Sequence, residues 1–286
     1  MHSESIWNSR VVIMCSMIES NLLIVDELID FGTNVIALIS PGSCQECYRN
    51  VPVQRTLATS LRKNDIDVLL ILDFEGDIVK IFHDTVGSQL SIAIIACPVS
   101  AFEMTRILDI IAESNLVVLG PESCGIMAPS RFMLGTIPGL ALRDGEIGLV
   151  CTSGSLTYES MATMTEDGLG LSMIICVGTG AIIGTSICGA LSCLEEDEET
   201  KKVVLIAEYN EIDTEFMVEF IHSHVSKPVV ICRVGGSLPP LPDKMGHSSV
   251  ILRKYHSATR SIIRLRENSC ISFANSLSEI AVLLGS

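Results

Sequence analysis

The chain has 286 residues, room for roughly two domains. Hydrophobic residues make up 48% of it and charged residues 19%, which excludes a disordered chain and fills a globular core. A net charge of −15 argues against nonspecific binding to nucleic acid or an anionic membrane, although helix N-termini and backbone amides can still hold an anion locally.

Taken in chain order, Val11 to Met14 is a short apolar run, and Asn21 to Phe31 reads as a helix ending at Gly32. Asn34 to Ile39 reads as a buried strand stopped by Ser40-Pro41-Gly42, and Val53 to Arg62 as a second helix. Strands are expected at Val68–Leu72, Leu90–Ala96 and Leu116–Leu119, with helices at Ile78–Val86 and Ala101–Ser114 between them. Continuous apolar strands alternating with amphipathic helices imply a parallel sheet covered on both faces, here a Rossmann-type domain. Pro129 to Glu146, with Pro138, Gly139 and Gly145, reads as an irregular linker region. The expected domains are therefore 1–128, Rossmann-like, and 129–286, flavodoxin-like and doubly wound.

In the second half the pattern restarts. Strands are expected at Ile147–Val150, Leu171–Val177, Val203–Ala207 and Pro228–Cys232. Helices are expected at Leu156–Asp167, Ser186–Leu194, Thr214–His224, Ser257–Arg266 and Ser278–Leu284. The run Glu195 to Glu199 reads as a solvated surface segment. Gly168 to Leu194 carries no charge, but its glycines suit strand, loop and helix start better than a spanning helix, despite the GxxxG spacing of Gly180 and Gly184.

Eleven cysteines lie mostly inside apolar runs, where they act as small hydrophobes. Met1 to Trp7 shows neither an apolar signal core nor an Arg-rich helix, so reduced thiols in an intracellular compartment are expected. Cys44 and Cys47 have CxxC spacing, but no second pair completes a zinc site, and no metal is expected.

Ligands of such sheets gather beyond the carboxyl ends of the strands. Three groups fall there. Thr152, Ser153 and Gly154 open a helix directly after a strand, where free amides and the positive dipole end can hold a phosphate; a plain helix cap is the alternative. Glu208 ends a strand and could orient an imidazole or take its proton; otherwise it caps or pairs at the surface. His247 follows a Gly- and Pro-rich run, so a loop position is expected, where it is either a plain surface residue or a nucleophile that accepts a phosphoryl group.

Ser153-Gly154-Ser155-Leu156-Thr157-Tyr158-Glu159, Gly120-Pro121, Glu208, Lys227-Pro228-Val229-Val230 and Met245-Gly246-His247 together resemble the α subunit of succinyl-CoA synthetase, or succinate–CoA ligase. The match is collinear over nearly the whole chain. The resemblance implies a CoA-binding domain, a ligase domain, and a β-subunit partner, in a heterodimer or heterotetramer, that carries ATP or GTP with Mg²⁺. It implies formation of succinyl-CoA from succinate and CoA through succinyl phosphate and a phosphohistidine, a step of the tricarboxylic acid cycle. His247 matches the phosphorylated residue, Glu208 the assisting carboxylate, and Thr152 to Gly154 the phosphate-holding helix start. Ser40, Pro41 and Ser43 match the CoA-contacting turn. The family is mitochondrial in eukaryotes and cytoplasmic in bacteria.

The sequence departs from the family where CoA phosphates bind. Cys15, Ile18 and Asn21 stand at the glycines of the family's GxxGxxG loop, with Glu19 between them; Ser43 replaces a lysine, and Asp73 or Phe74 a strand-end proline. Two further readings follow: a diverged paralogue that acts as a structural or regulatory partner of a β subunit, and a ligase for a different acid.

Overall fold

The computed structural model describes residues 6, 8–63, 65–139, 142–208, 215–234, 244–247, 250–253 and 270–285; of 63, 208, 215, 218, 244–247, 250–253 and 285 it describes the backbone alone. The chain divides into two compact units, one of residues 2–140 with 177–185, the other of 141–176 with 186–286.

In the first unit β1 (Val11–Met14) is buried at every position, as a central parallel strand covered on both faces must be. α1 (Glu19–Phe31) stops at Gly32, whose left-handed φ of 98° lets Gly32 and Thr33 amides return to Ile29 and Leu28 carbonyls. β2 (Val35–Ile39), β3 (Cys47–Tyr48) and β4 (Val51–Gln54) follow, then α2 (Leu57–Lys63), β5 (Val68–Ile71), α3 (Ile78–Thr85), β6 (Ile92–Ile95), α4 (Ala101–Ile111) and β7 (Val117–Leu119). Their order is β3-β4-β2-β1-β5-β6-β7, all parallel except the β3–β4 hairpin. Counting the parallel strands in sequence, this is 3-2-1-4-5-6, the Rossmann order.

The helix expected over Val53–Arg62 is corrected: its first residues are strand, and α2 begins only at Leu57. Leu38 and Ile39 of β2 pair with Val53 and Gln54, and that long-range pairing overrides local helix preference. Cys47 opens β3 and Cys44 lies just before it, both exposed thiols without a disulfide. The linker expected over Pro129–Glu146 is likewise corrected: β8 (Gly125–Ala128) and β9 (Phe132–Gly135) form a buried antiparallel hairpin. The loop 177–185 belongs to this unit because it is hydrogen-bonded to the end of β7: Gly120 N–H donates to Val177 O and Thr179 N–H to Pro121 O, both at 3.0 Å. Gly178 is required there. Its φ is 90°, and a Cβ would lie 2.1 Å from the Pro121 carbonyl oxygen.

Two local devices in this unit carry predictions. Ser100 caps α4 through a reciprocal pair, Glu103 N–H to Ser100 Oγ at 3.2 Å and Ser100 N–H to Glu103 Oε2 at 3.1 Å. Ser100→Ala is expected to lower unfolding stability by about 1 kcal/mol in urea titration. Arg10, just before β1, forks onto Asp67, just before β5: Nε donates to Oδ2 and an η nitrogen to Oδ1, both at 2.9 Å. Those hydrogen bonds hold the Asp67 carboxyl below its ordinary range against the opposing effect of burial. A depressed folded value means that the contribution is complete above the unfolded value, about 3.9, and is lost as pH falls through the lower folded one. Asp67→Asn should therefore narrow the stability gap to wild type as pH drops below about 4, measured by thermal unfolding across pH.

The second unit contains β10 (Asp144–Cys151), α5 (Gly154–Glu166), β11 (Leu171–Cys176), α6 (Ile187–Glu196), β12 (Lys202–Glu208), α7 (Glu215–His224), β13 (Val229–Val234), β14 (Lys244–His247), β15 (Val250–Arg253), β16 (Ile271–Ala274) and α8 (Ser278–Gly285). Parallel strands run β16-β13-β12-β10-β11. In sequence count this is 5-4-3-1-2, the flavodoxin order. The helix expected over Ser257–Arg266 lies outside the described residues. The acidic run is not wholly solvated: Asp197 is 7% exposed and accepts the Thr200 hydroxyl at 2.6 Å, while Lys227 Nζ donates to the Leu194 and Asp197 carbonyls. Among the described residues no helix is long and apolar enough to cross a membrane.

Candidate functional site

In the second unit the strand order reverses between β10 and β12, which opens a crevice beyond their carboxyl ends. Register fixes what lies there. Cys151 pairs with Ile206, so Thr152 and Ser153 leave β10 level with Ala207 and Glu208 at the end of β12. Glu208 pairs in turn with Val234, the last residue of β13, from which the chain continues toward His247.

Thr152 is 2% exposed, and Ser153 is the half-buried N-cap of α5. Ser153 has extended dihedrals, and its side chain makes no capping hydrogen bond; its carbonyl accepts Thr157 N–H at 2.9 Å and the Thr157 hydroxyl at 2.8 Å. Among the described residues the first turn of α5 thus keeps amides that the Ser153 side chain leaves uncapped, with the dipole end that suits an anion. Cys151, the last residue of β10, is buried, and burial pushes its thiol far above the ordinary range, so it stays protonated at neutral pH.

His247 was expected on a loop; the structure corrects this to the last residue of β14. Val250-Ile251-Leu252, a run of β-formers, pairs antiparallel with Met245-Gly246-His247, and His247 faces Val250 at the hairpin's closing end. Residues 248 and 249 lie outside the described residues, as do the side chains of His247 and Glu208.

The first unit has its own switch point, between β1 and β5. A pocket of about 350 Å³ lies there, and Ser40, Pro41 and Ser43 line it with Cys15, Ser16 and Asp73. Ser43 Oγ accepts Gln45 N–H at 3.0 Å, and Ser40 is buried. Desolvation, with a smaller contribution from Asp73, pushes the Cys15 thiol up to about 12. The residue that dominates the pocket chemically is Asp73. Its carboxylate accepts Ser16 N–H at 2.6 Å, the Ser16 hydroxyl, and Asn21 Nδ2 at 2.8 Å. Sequence reading marked Asp73 only as a replaced proline; an acid directly after a central strand of a Rossmann pattern was the available signal.

A Rossmann-ordered sheet followed by a flavodoxin-ordered one defines an α/β protein of two doubly wound units. Residues 144–262 match the succinyl-CoA ligase like flavodoxin domain. A succinate–CoA ligase [ADP-forming] subunit alpha 2 of Archaeoglobus fulgidus is 30% identical over 265 residues, 91% of this chain and 90% of that relative. A succinate–CoA ligase [ADP-forming] subunit alpha of Staphylococcus aureus is 26% identical over 281 residues, 97% of this chain and 92% of the relative. The chain belongs to the succinate–CoA ligase alpha-subunit family. Among solved structures, a Methanosaeta concilii ATP citrate lyase mutant in complex with (3S)-citryl-CoA superposes with a TM-score of 0.81 at 16% identity over 97% of this chain. A Ca. Korarchaeum cryptofilum dinucleotide-forming acetyl-coenzyme A synthetase 1 superposes at 0.73 and 15% over 97% of it. This chain spans 49% and 60% of those two chains, and at such identities they show the fold.

Proposed function

We propose that the chain is the alpha-type subunit of a succinate–CoA ligase and carries the phosphoryl group on His247 while docked on a β subunit that binds ATP or GTP with Mg²⁺. The observation that carries this reading is the β10–β12 register, which brings the uncapped start of α5 and Glu208 to one switch point beside the strand that leads toward His247. In the proposed step a neutral imidazole nitrogen of His247 attacks phosphorus, and the bond from phosphorus to the leaving oxygen breaks. The amides of Ser153 and Gly154 would hold the phosphoryl oxygens, and Glu208 would orient the ring or take its second proton. Succinate is the acid implied by the family.

The pocket of the first unit fits CoA poorly. No Lys, Arg or His lines it among the described residues, and Asp73 already takes the donors that a phosphate would use. That observation favours a second reading, a diverged subunit with little CoA chemistry that serves as a structural or regulatory partner. Incubation with β subunit, Mg²⁺ and γ-labelled ATP or GTP separates the two. The first reading expects acid-labile label on this chain only when the β subunit is present; an unlabelled chain in an intact complex rejects it.

A further inference from the structure

Three donors of different kinds converge beyond the ends of β1 and β5. The Ser16 backbone amide, the Ser16 hydroxyl and the Asn21 side-chain amide all point at the two oxygens of Asp73. Asn21 is 7% exposed, and the same nitrogen lies 3.0 Å from both Ser16 O and Ser16 Oγ. A backbone amide, a hydroxyl and a buried side-chain amide between a parallel strand and its helix make the donor set that a phosphate ordinarily recruits. Here the anion that they hold comes from the chain itself, 57 residues away from Ser16. Glu75 adds a second carboxylate to the lining. Met17, Pro41 and Phe74 supply apolar wall.

We infer that Asp73 is the specificity determinant of this pocket: its carboxylate fills the phosphate position and excludes phosphate-bearing ligands from the cleft. The inference rests on family membership for the pocket's ancestry, and it is independent of phosphorylation at His247. An incoming diphosphate would have to displace a carboxylate already held by three hydrogen bonds and then face the charge it had displaced.

The test uses the full chain, with inorganic pyrophosphate as the probe, read by calorimetry and by the shift in unfolding temperature. In Asp73→Ala the donors are vacated, and pyrophosphate should bind at least about tenfold more tightly than to wild type. The variant alone should melt lower than wild type and be raised by pyrophosphate, because a ligand that binds only the folded state stabilises it. Asp73→Asn keeps the shape, retains one acceptor oxygen and loses the charge, so a smaller gain is expected; it decides the matter if Asp73→Ala fails to fold. An anion site elsewhere would act equally on every variant and leave the ratio to wild type at one, which counts against the proposal. Wild type that binds pyrophosphate as tightly as Asp73→Ala, or folded variants that gain nothing, overturns it. Either result leaves the His247 labelling experiment to be judged separately.

Discussion

Replacing His247 with alanine is expected to remove acid-labile labelling of this chain by ATP or GTP, even with the β subunit and Mg²⁺ present. The reason is the bond formed. Phosphorus on an imidazole nitrogen gives a P–N bond that acid cleaves, whereas a phosphate on Thr152 or Ser153 would be an acid-stable ester. Phosphate on Glu208 would be an acyl phosphate, cleaved by hydroxylamine. Each candidate acceptor therefore has its own chemical signature. Removing a nucleophile costs several orders of magnitude, so label in His247→Ala should fall at least about a thousandfold. Undiminished acid-labile label in that variant would move the acceptor to another histidine, or to a carboxylate such as Glu208 if alkali and hydroxylamine also release it. Co-purification with the β subunit controls for docking and separates lost chemistry from lost assembly.

Phe82→Ala is expected to destabilise the first unit by about 3–5 kcal/mol. Phe82 is fully buried on α3 and belongs to the core cluster that includes Val12, Leu69 and Ile95 of the parallel sheet and Met104 and Ile107 of α4. Truncation to Ala removes most of a ring from a close-packed layer whose neighbours, held by strand pairing, collapse only in part. For a unit of this size the melting temperature should fall by about 10 °C. Hydrogen exchange at β1 and β5 amides reads the loss where it occurs. Val282→Ala on α8, where the side chain is 65% exposed, is the matched control, expected to stay within about 0.5 kcal/mol of wild type. If the two variants melt alike, Phe82 does not hold this core together.

The strands of both sheets were legible because parallel strands buried on both faces are written as unbroken apolar runs, such as Val68-Leu69-Leu70-Ile71 and Val203-Val204-Leu205-Ile206. Helix ends were legible where one residue decides them, as Gly32 does. The β3–β4 and β8–β9 hairpins and β16 were missed because each strand is short: β3 and β4 turn at Arg49-Asn50 without Gly or Pro, Pro129 in the β8–β9 turn read as linker, and β16 pairs with β13, distant in sequence. The run before His247 announced a loop, but pairing with Val250–Arg253 made the residue a strand end. Of the candidate site, Thr152 to Gly154 and Glu208 could be placed at strand ends from pattern alone; that they share one switch point needed the strand order.

By itself the sequence determined the core parallel strands and most of the helices, that two sheets form in succession, and that the chain is of succinate–CoA ligase descent. Those properties depend on local periodicity and on short collinear motifs, which survive in one dimension. Only the tertiary structure decided the order of strands, and with it which loops face one another. It alone showed Asp73 seated on the amides of Ser16 and Asn21, because a hydrogen bond across 57 residues leaves no periodic trace in the chain.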